Sequence, residues 1–393
     1  MNRYEKIVNE WLDRNRVNQH YDEIAQYVRA QLGTEAHSLY YVNDLRWLDR
    51  FLPNDKNGLI VIVFPFELDQ DPAHQFSVPF QPAGQRVPIG IQHLTRIKNL
   101  FPDREFLVIQ SSPDFQSTDR HMYFIHGGNQ ILVQRDQYPQ VDPIKEKKLH
   151  ADYHAVFLSN QPKNHRVLAA SYLLGHNLLS TVMIRGTAYT WEHTDTWWQV
   201  AGYDQDPKHV DSHLLQTGFE LYKQGRHGGQ PDGLVMSGDR TADNAWNFDC
   251  NLRYIYQSSL VELIPETVFV PQYRLITEKY LHTIYGFNIP IWLAARSTVA
   301  HVRELGFDVF DDYVNHDYDT QFDPMLRITH AIDSNMRLLS DRTYALQVWH
   351  NLLPRMQKNL DHARQNLYNQ SMDRFKSDFD KFLTRRKHAE SIV

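Results

Sequence analysis

Short, continuously apolar runs alternate along this chain with stretches of helical spacing, and polar loops separate the two. Near the start, IVNEWLDRN and EIAQYVRAQL carry apolar residues three and four apart among Arg, Glu and Asp, which predicts two amphipathic helices as a preface. Gly58 to Pro65 (GLIVIVFP) is apolar without alternation, as expected of a parallel strand covered on both faces. A helix is expected over Ile91 to Leu100, then strands over Glu105 to Gln110 and Met122 to Ile125, which stop at Ser111-Ser112-Pro113 and His126-Gly127-Gly128-Asn129. Asp142 to Lys148 reads as a polar linker, and the pattern restarts near Tyr153. From Trp191 to Asn251 no clean period appears, apart from a helix over Ser212 to Tyr222.

The stretch LVELIPETVFV, from Leu260, predicts a buried strand that turns at Pro265. Thr277 then stands as N-cap of a helix with Glu278 and Lys279 in its first turn, where exposed backbone N–H groups and the helix dipole favour an anion such as phosphate. A strand follows over Ile289 to Leu293, a helix from about Thr298 to Leu305 closed by Gly306, and a short strand over Asp308 to Phe310. From Met336 the pattern is helical to the end. Helices alternating with apolar strands define an α/β fold with doubly wound parallel sheets, whose ligands bind at the carboxyl ends of the strands. Glu266, Glu278 and Lys279 fall near such ends.

At 393 residues the chain exceeds a single comfortable core, so two domains are expected. No stretch approaches the roughly 18 apolar residues of a membrane span, and the first residues lack the basic and apolar regions of a signal peptide. One cysteine, Cys250, excludes a disulfide scaffold. A reducing cytoplasm, microbial or of an infected cell, is the expected location. The net charge of −6 argues against the global basic field of a dedicated nucleic-acid binder. The chain is nevertheless rich in Tyr and Trp, whose faces suit sugar rings and bases as well as cores. Twenty-one histidines invite a metal reading that their spacing does not support: His121 and His126 have no third ligand nearby in sequence, and His150 and His154 lack the glutamate of H-E-x-x-H. The segment HGGQPDG, from His227, follows no strand and is not a P-loop.

The segments ETVFV, LITEKYLHTIYGFNIPI and LGFDVFDDYVNHDYD resemble the donor-sugar domain of the fucosyltransferase-like glycosyltransferases, and look closest to variants encoded by bacteriophages and other viruses. FLSNQPKNHRVLAA, from Phe157, resembles the strand, loop and H-R-x-x-L helix start that open that domain. The resemblance spans roughly 157 to 319 and implies a GT-B architecture of two Rossmann-like domains. Residues 1–150 would form the acceptor-side domain, 151–335 the donor-binding domain, and 336–393 helices packing back on the first. It implies a transferase that moves a sugar, with inversion in the family's manner, from a nucleoside-diphosphate sugar as co-substrate to a hydroxyl acceptor, with no other cofactor and no metal. Arg166 and Lys279 would clamp the diphosphate, Glu278 would hold the ribose hydroxyls, and Glu266, beside Thr277, would touch the sugar or the ribose.

The general base is expected from the first domain, with Glu67 at the end of its strongest strand as first candidate and Asp69 and Asp71 behind it. His126 is a further candidate for the acceptor or, through the Gly127-Gly128 amides, for the diphosphate. The acceptor is left open between a glycan, a lipid-linked sugar and a hydroxylated DNA base. A basic run on the last helix, Arg374, Lys376, Lys381, Arg385, Arg386 and Lys387, speaks for DNA, and the acidic net charge speaks against it. Two rivals from other classes are a non-catalytic virion or interaction protein that keeps the fold, and a DNA-binding module.

Overall fold

The computed structural model describes residues 19–33, 37–41, 48, 52, 58–64, 89–110, 122–127, 138, 141–149, 153–159, 163–186, 196–201, 203, 205–224, 248–266, 269, 274 and 276–390. They fall into two compact units. One is drawn from Met1–Pro72, Val87–Asp136 and Gln365–Val393, the other from Gln137–Arg364.

The first unit holds helix α1 (Gln19–Leu32) and strands β1 (His37–Tyr41) and β2 (Leu59–Phe64), then helix α2 (Ile89–Leu100) and strands β3 (Glu105–Gln110) and β4 (Met122–His126). The four strands pair in parallel in the order β1-β2-β3-β4. Continuous apolarity in β2 follows from the two-residue period of a strand. Leu59, Val61 and Val63 face Ile24 and Val28 of α1 together with Phe375, Phe379 and Phe382 of the C-terminal helix, Leu367–Glu390. Ile60 and Ile62 face Leu94 and Ile97 of α2. The expected preface helix before α1 lies outside the described residues, as do Glu67, Asp69 and Asp71.

The second unit opens with β5 (Ala155–Ser159), helix α3 (Asn164–Gly175) and β6 (Val182–Gly186), followed by helices α4 (Trp197–Ala201), α5 (Ser212–Lys223) and α6 (Arg253–Ser258). Then come β7 (Val261–Pro265), α7 (Glu278–Gly286), β8 (Ile289–Leu293), α8 (Thr298–Glu304), α9 (Pro324–Asp333), α10 (Met336–Ser340) and α11 (Arg342–Gln365). All four strands are parallel, in the order β6-β5-β7-β8. The chain winds to one side of β5 through α3 and then to the other side through β7, so a topological switch point lies between β5 and β7. Pro290 is tolerated because β8 pairs with β7 alone among the described strands. Helices α3 and α5 approach so closely that a Cβ on Gly218 would collide with the Ser171 carbonyl oxygen.

The fold class is therefore α/β, with two parallel four-stranded sheets. Asp308 to Phe310 corrects one expectation, because this segment is not a strand. The Asp308 carboxylate instead accepts from the Phe310 N–H at 2.9 Å, and Phe310 takes a left-handed φ of 65° that turns the chain. Helix α4 and a π-turn at Phe248–Leu252 arise inside the stretch without sequence period.

Candidate functional site

The carboxyl edge of the second sheet brings together the residues singled out from both segments of the sequence. Helix α3 starts after β5 with Lys163 as N-cap, which makes no side-chain cap of its own. His165 and Arg166 in its first turn are both buried. They reach across the switch point to the end of β7: His165 Nε2 donates to the Glu266 carbonyl at 2.9 Å, and Arg166 Nη2 donates to the carbonyls of Pro265 at 3.1 Å and Glu266 at 3.4 Å. Burial, together with the neighbouring Arg166 and Lys163 charges, holds the His165 pKa well below the usual imidazole range, which fixes it as a neutral donor.

Helix α7 starts on the other side of this crevice. Thr277 caps it, its hydroxyl accepting from the Lys279 N–H at 3.5 Å. The same hydroxyl donates to Glu266 Oε2 at 2.6 Å, while the Thr277 N–H donates to Glu266 Oε1 at 3.2 Å. Glu266 is fully buried, and burial pushes its pKa up against the pull of Lys279 and Thr277. With both carboxylate oxygens engaged by Thr277, Glu266 stands behind the first turn of α7 and braces it.

Glu278 and Lys279 are placed differently. Their side chains keep 23% and 17% of their exposure, and Lys279 Nζ lies 3.2 Å from Glu278 Oε1 and 3.2 Å from the Thr277 hydroxyl. Burial would raise the Glu278 pKa, but the charges of Lys279 and His282 outweigh it and hold it down to about 2. The turn therefore presents an ionised carboxylate and an ammonium side by side at a helix N-terminus. Such a pair can accept from hydroxyls and donate to anionic oxygens at once.

Residues without a sequence signal complete the edge. Arg327 of α9, almost fully buried, donates to the carbonyls of Ala294 at 2.9 Å, Gln321 at 2.7 Å and Phe269 at 3.2 Å, so one guanidinium ties together the segments after β7 and β8 and the turn before α9. Its carbon lies 4.4 Å from the Phe269 ring centroid, and His165 stacks on that ring with centroids 4.9 Å apart. Asp319 caps α8, its carboxylate accepting from the N–H groups of Val299 and Ala300, each at 3.1 Å. The one hint of Arg327 in the sequence is a lone cation beside the apolar face Met325, Ile328 and Ile332.

Other candidates lie elsewhere or are differently engaged. His121, His150 and the HGGQPDG segment lie outside the described residues. His126 ends β4, but the Gly127 N–H donates to the Gln110 carbonyl at 2.8 Å and is not available to an anion. On the C-terminal helix, Arg386 meets Glu105 at 3.1 Å, Lys381 meets Asp378 at 2.8 Å and Lys376 lies over the Tyr27 ring, so half of the basic run serves its own unit. Among the described residues no group of three or more His, Cys, Asp or Glu is placed to hold a metal ion. None of their helices is long and apolar enough to cross a membrane.

Fold and edge together define a two-unit α/β protein whose second sheet carries a polar, doubly charged helix start at its switch point. No family model matches the chain, and no curated protein matches its sequence. Among solved structures the chain is similar to sucrose-phosphate synthase from Thermosynechococcus elongatus, with 13% identity and a TM-score of 0.39 over 92% of this chain and 80% of that one.

Proposed function

We propose that the protein is a glycosyltransferase that binds a nucleoside-diphosphate sugar at the carboxyl edge of the second sheet and transfers the sugar to a hydroxyl acceptor. The observation that carries this reading is the first turn of α7. There Glu278, ionised and partly exposed, adjoins Lys279 on a helix N-terminus that Glu266 braces from behind. A nucleoside diphosphate offers complementary groups, vicinal ribose hydroxyls for the carboxylate and phosphate oxygens for the ammonium and the helix dipole.

In this reading Lys279 contacts the diphosphate and stabilises its charge as it departs, and Glu278 accepts from the ribose. Arg166 sits too deep for direct bidentate contact while it holds Pro265 and Glu266, so its charge acts from beneath the crevice. Glu266 acts through Thr277 and not on the sugar. Glu67 remains the proposed base for the acceptor hydroxyl, on the sequence argument alone. The finer reading as a fucosyltransferase-like, virus-type enzyme rests on the motifs quoted above, and a glycan and a hydroxylated DNA base are the acceptors it would distinguish.

A thermal-shift screen across UDP-, GDP-, ADP- and CMP-sugars tests the proposal, because a ligand of the native state raises its apparent stability. One nucleoside-diphosphate sugar should raise the melting temperature of the wild type and fail to do so for Lys279→Ala. If no nucleotide sugar shifts the wild type, or the Lys279→Ala shift equals that of the wild type, the assignment falls.

A further inference from the structure

Glu262 is an ionisable residue inside the buried strand β7 and has no part in the site described above. It is 2% exposed and stands four residues before Glu266. Its Oε2 accepts from the Thr283 hydroxyl of α7 at 2.6 Å and its Oε1 from the Tyr256 hydroxyl of α6 at 2.7 Å. Glu266 makes the same kind of bond to Thr277, also at 2.6 Å. Glu262 within β7 and Glu266 just beyond it therefore grip Thr283 of α7 and its N-cap Thr277, six residues apart.

The far end of α7 is anchored as well. Lys147 donates to the Gly286 carbonyl at 2.6 Å, and to Tyr256 O at 2.8 Å and Asn288 Oδ1 at 2.6 Å. A cation on the last carbonyl suits the negative end of the helix dipole. Helix α7 is thus held at its start, its middle and its end by three ionisable side chains. Apolar packing alone would have satisfied a core helix at lower desolvation cost.

We propose that Glu262 is a positioning residue: through Thr283 it fixes the height and rotation of α7 on the sheet, and so the place of Thr277, Glu278 and Lys279 at the sheet edge. The functional half of this inference rests on the donor-site reading above, and the structural half does not. A helix pinned only at its cap and its last carbonyl can rock about them, whereas a directional bond at mid-length removes that freedom. The phosphate-facing turn is then preorganised before any ligand arrives.

The test compares Thr283→Val, Tyr256→Phe and Glu262→Gln by amide hydrogen exchange at residues 281–285, with α8 as internal reference, and by calorimetry with UDP and GDP. Thr283→Val removes the bond to α7, and Tyr256→Phe removes an equivalent bond from the same carboxylate to α6. Glu262→Gln keeps both bonds, since its amide can donate to the Thr283 hydroxyl, whose single proton then turns to the Lys279 carbonyl 3.0 Å away. Thr283→Val should speed exchange in α7 relative to α8 and weaken the bound nucleoside diphosphate about 2–10-fold, the net worth of one hydrogen bond. The other two should leave both readouts at wild-type values.

Unchanged α7 exchange in Thr283→Val, or equal loosening in Tyr256→Phe, overturns the proposal. If Thr283→Val does not fold, Glu262→Gln decides, because faster α7 exchange in that variant contradicts the bond pattern on which the inference stands. Should the wild type bind neither nucleotide while Thr283→Val still loosens α7, the positioning role stands and the donor-site reading fails. Should the wild type bind a nucleotide while Thr283→Val leaves α7 unloosened, the donor-site reading stands and the positioning role fails.

Discussion

Lys279 combines partial exposure with a place on a helix N-terminus. Its replacement by Ala should weaken nucleoside-diphosphate binding about 10- to 100-fold, corresponding to the ~1.5–3 kcal/mol of a hydrogen bond to a charged group. The melting temperature should fall as well, because both side chains are mostly buried and Lys279 is the charge that keeps Glu278 ionised against burial. Calorimetry together with a thermal melt separates the two effects. At the same scale Glu262 makes a prediction about pH. Burial raises its pKa to about 7 against the opposing bonds from Thr283 and Tyr256 and the charge of Lys279, with Glu266 just beyond its strand adding to the rise and Lys147 close by. The folded chain therefore holds this proton more tightly than the unfolded chain does. The contribution is full below the unfolded value of 4.5 and is lost as pH rises through about 7. Denaturant titrations at pH 5.5 and 8 should show Glu262→Gln gaining on the wild type at the higher pH. Glu278, held down to about 2, behaves oppositely, and its contribution is lost only in strong acid.

Helix α7 shows how a cap becomes more than a cap. Thr277 satisfies the Lys279 N–H and at the same time partners a buried carboxylate. An ordinary N-cap substitution costs ~1 kcal/mol, but Thr277→Val also strips the 2.6 Å partner from Glu266, adding the ~1–3 kcal/mol or more of an unsatisfied buried group. Thr277→Ser should restore most of the loss, and a denaturation midpoint for each variant checks it. The Thr-Glu-Lys start and the Gly306 stop were legible in the sequence, because caps depend on local backbone chemistry. The role of Glu266 was not, because whether a carboxylate faces a ligand or a threonine depends on where a helix eleven residues later comes to rest.

For the whole molecule, the first unit is assembled from distant parts of the chain, with the C-terminal helix packing Met372, Phe375, Phe379 and Phe382 against α1 and the sheet. Each buried side chain of this kind contributes roughly 1.5–3 kcal/mol. Truncation after Gln365 should therefore unfold the first unit and leave the second folded. Limited proteolysis should cleave 19–127 rapidly and spare 153–364, and equal resistance of both regions would contradict this account of the core.

What the chain determined by itself was the set of elements and their class. Continuous apolar runs of strand length can only be covered on both faces, and alternation with helices makes the sheets parallel, so the α/β fold and the strands β2, β3, β4, β7 and β8 follow from local pattern. The candidate edge followed too, since strand ends and helix starts are local features. Only the tertiary structure decided that the order β6-β5-β7-β8 places the switch point between the helix starts of Arg166 and Lys279. It alone decided that Arg166 and Glu266 turn inward while Glu278 and Lys279 face outward, and that Arg327, some 160 residues from Arg166 in sequence, ties the same edge together. The reason is that desolvation of a charge and the partner that relieves it are set by distance in space, on which the spacing of residues along the chain is silent.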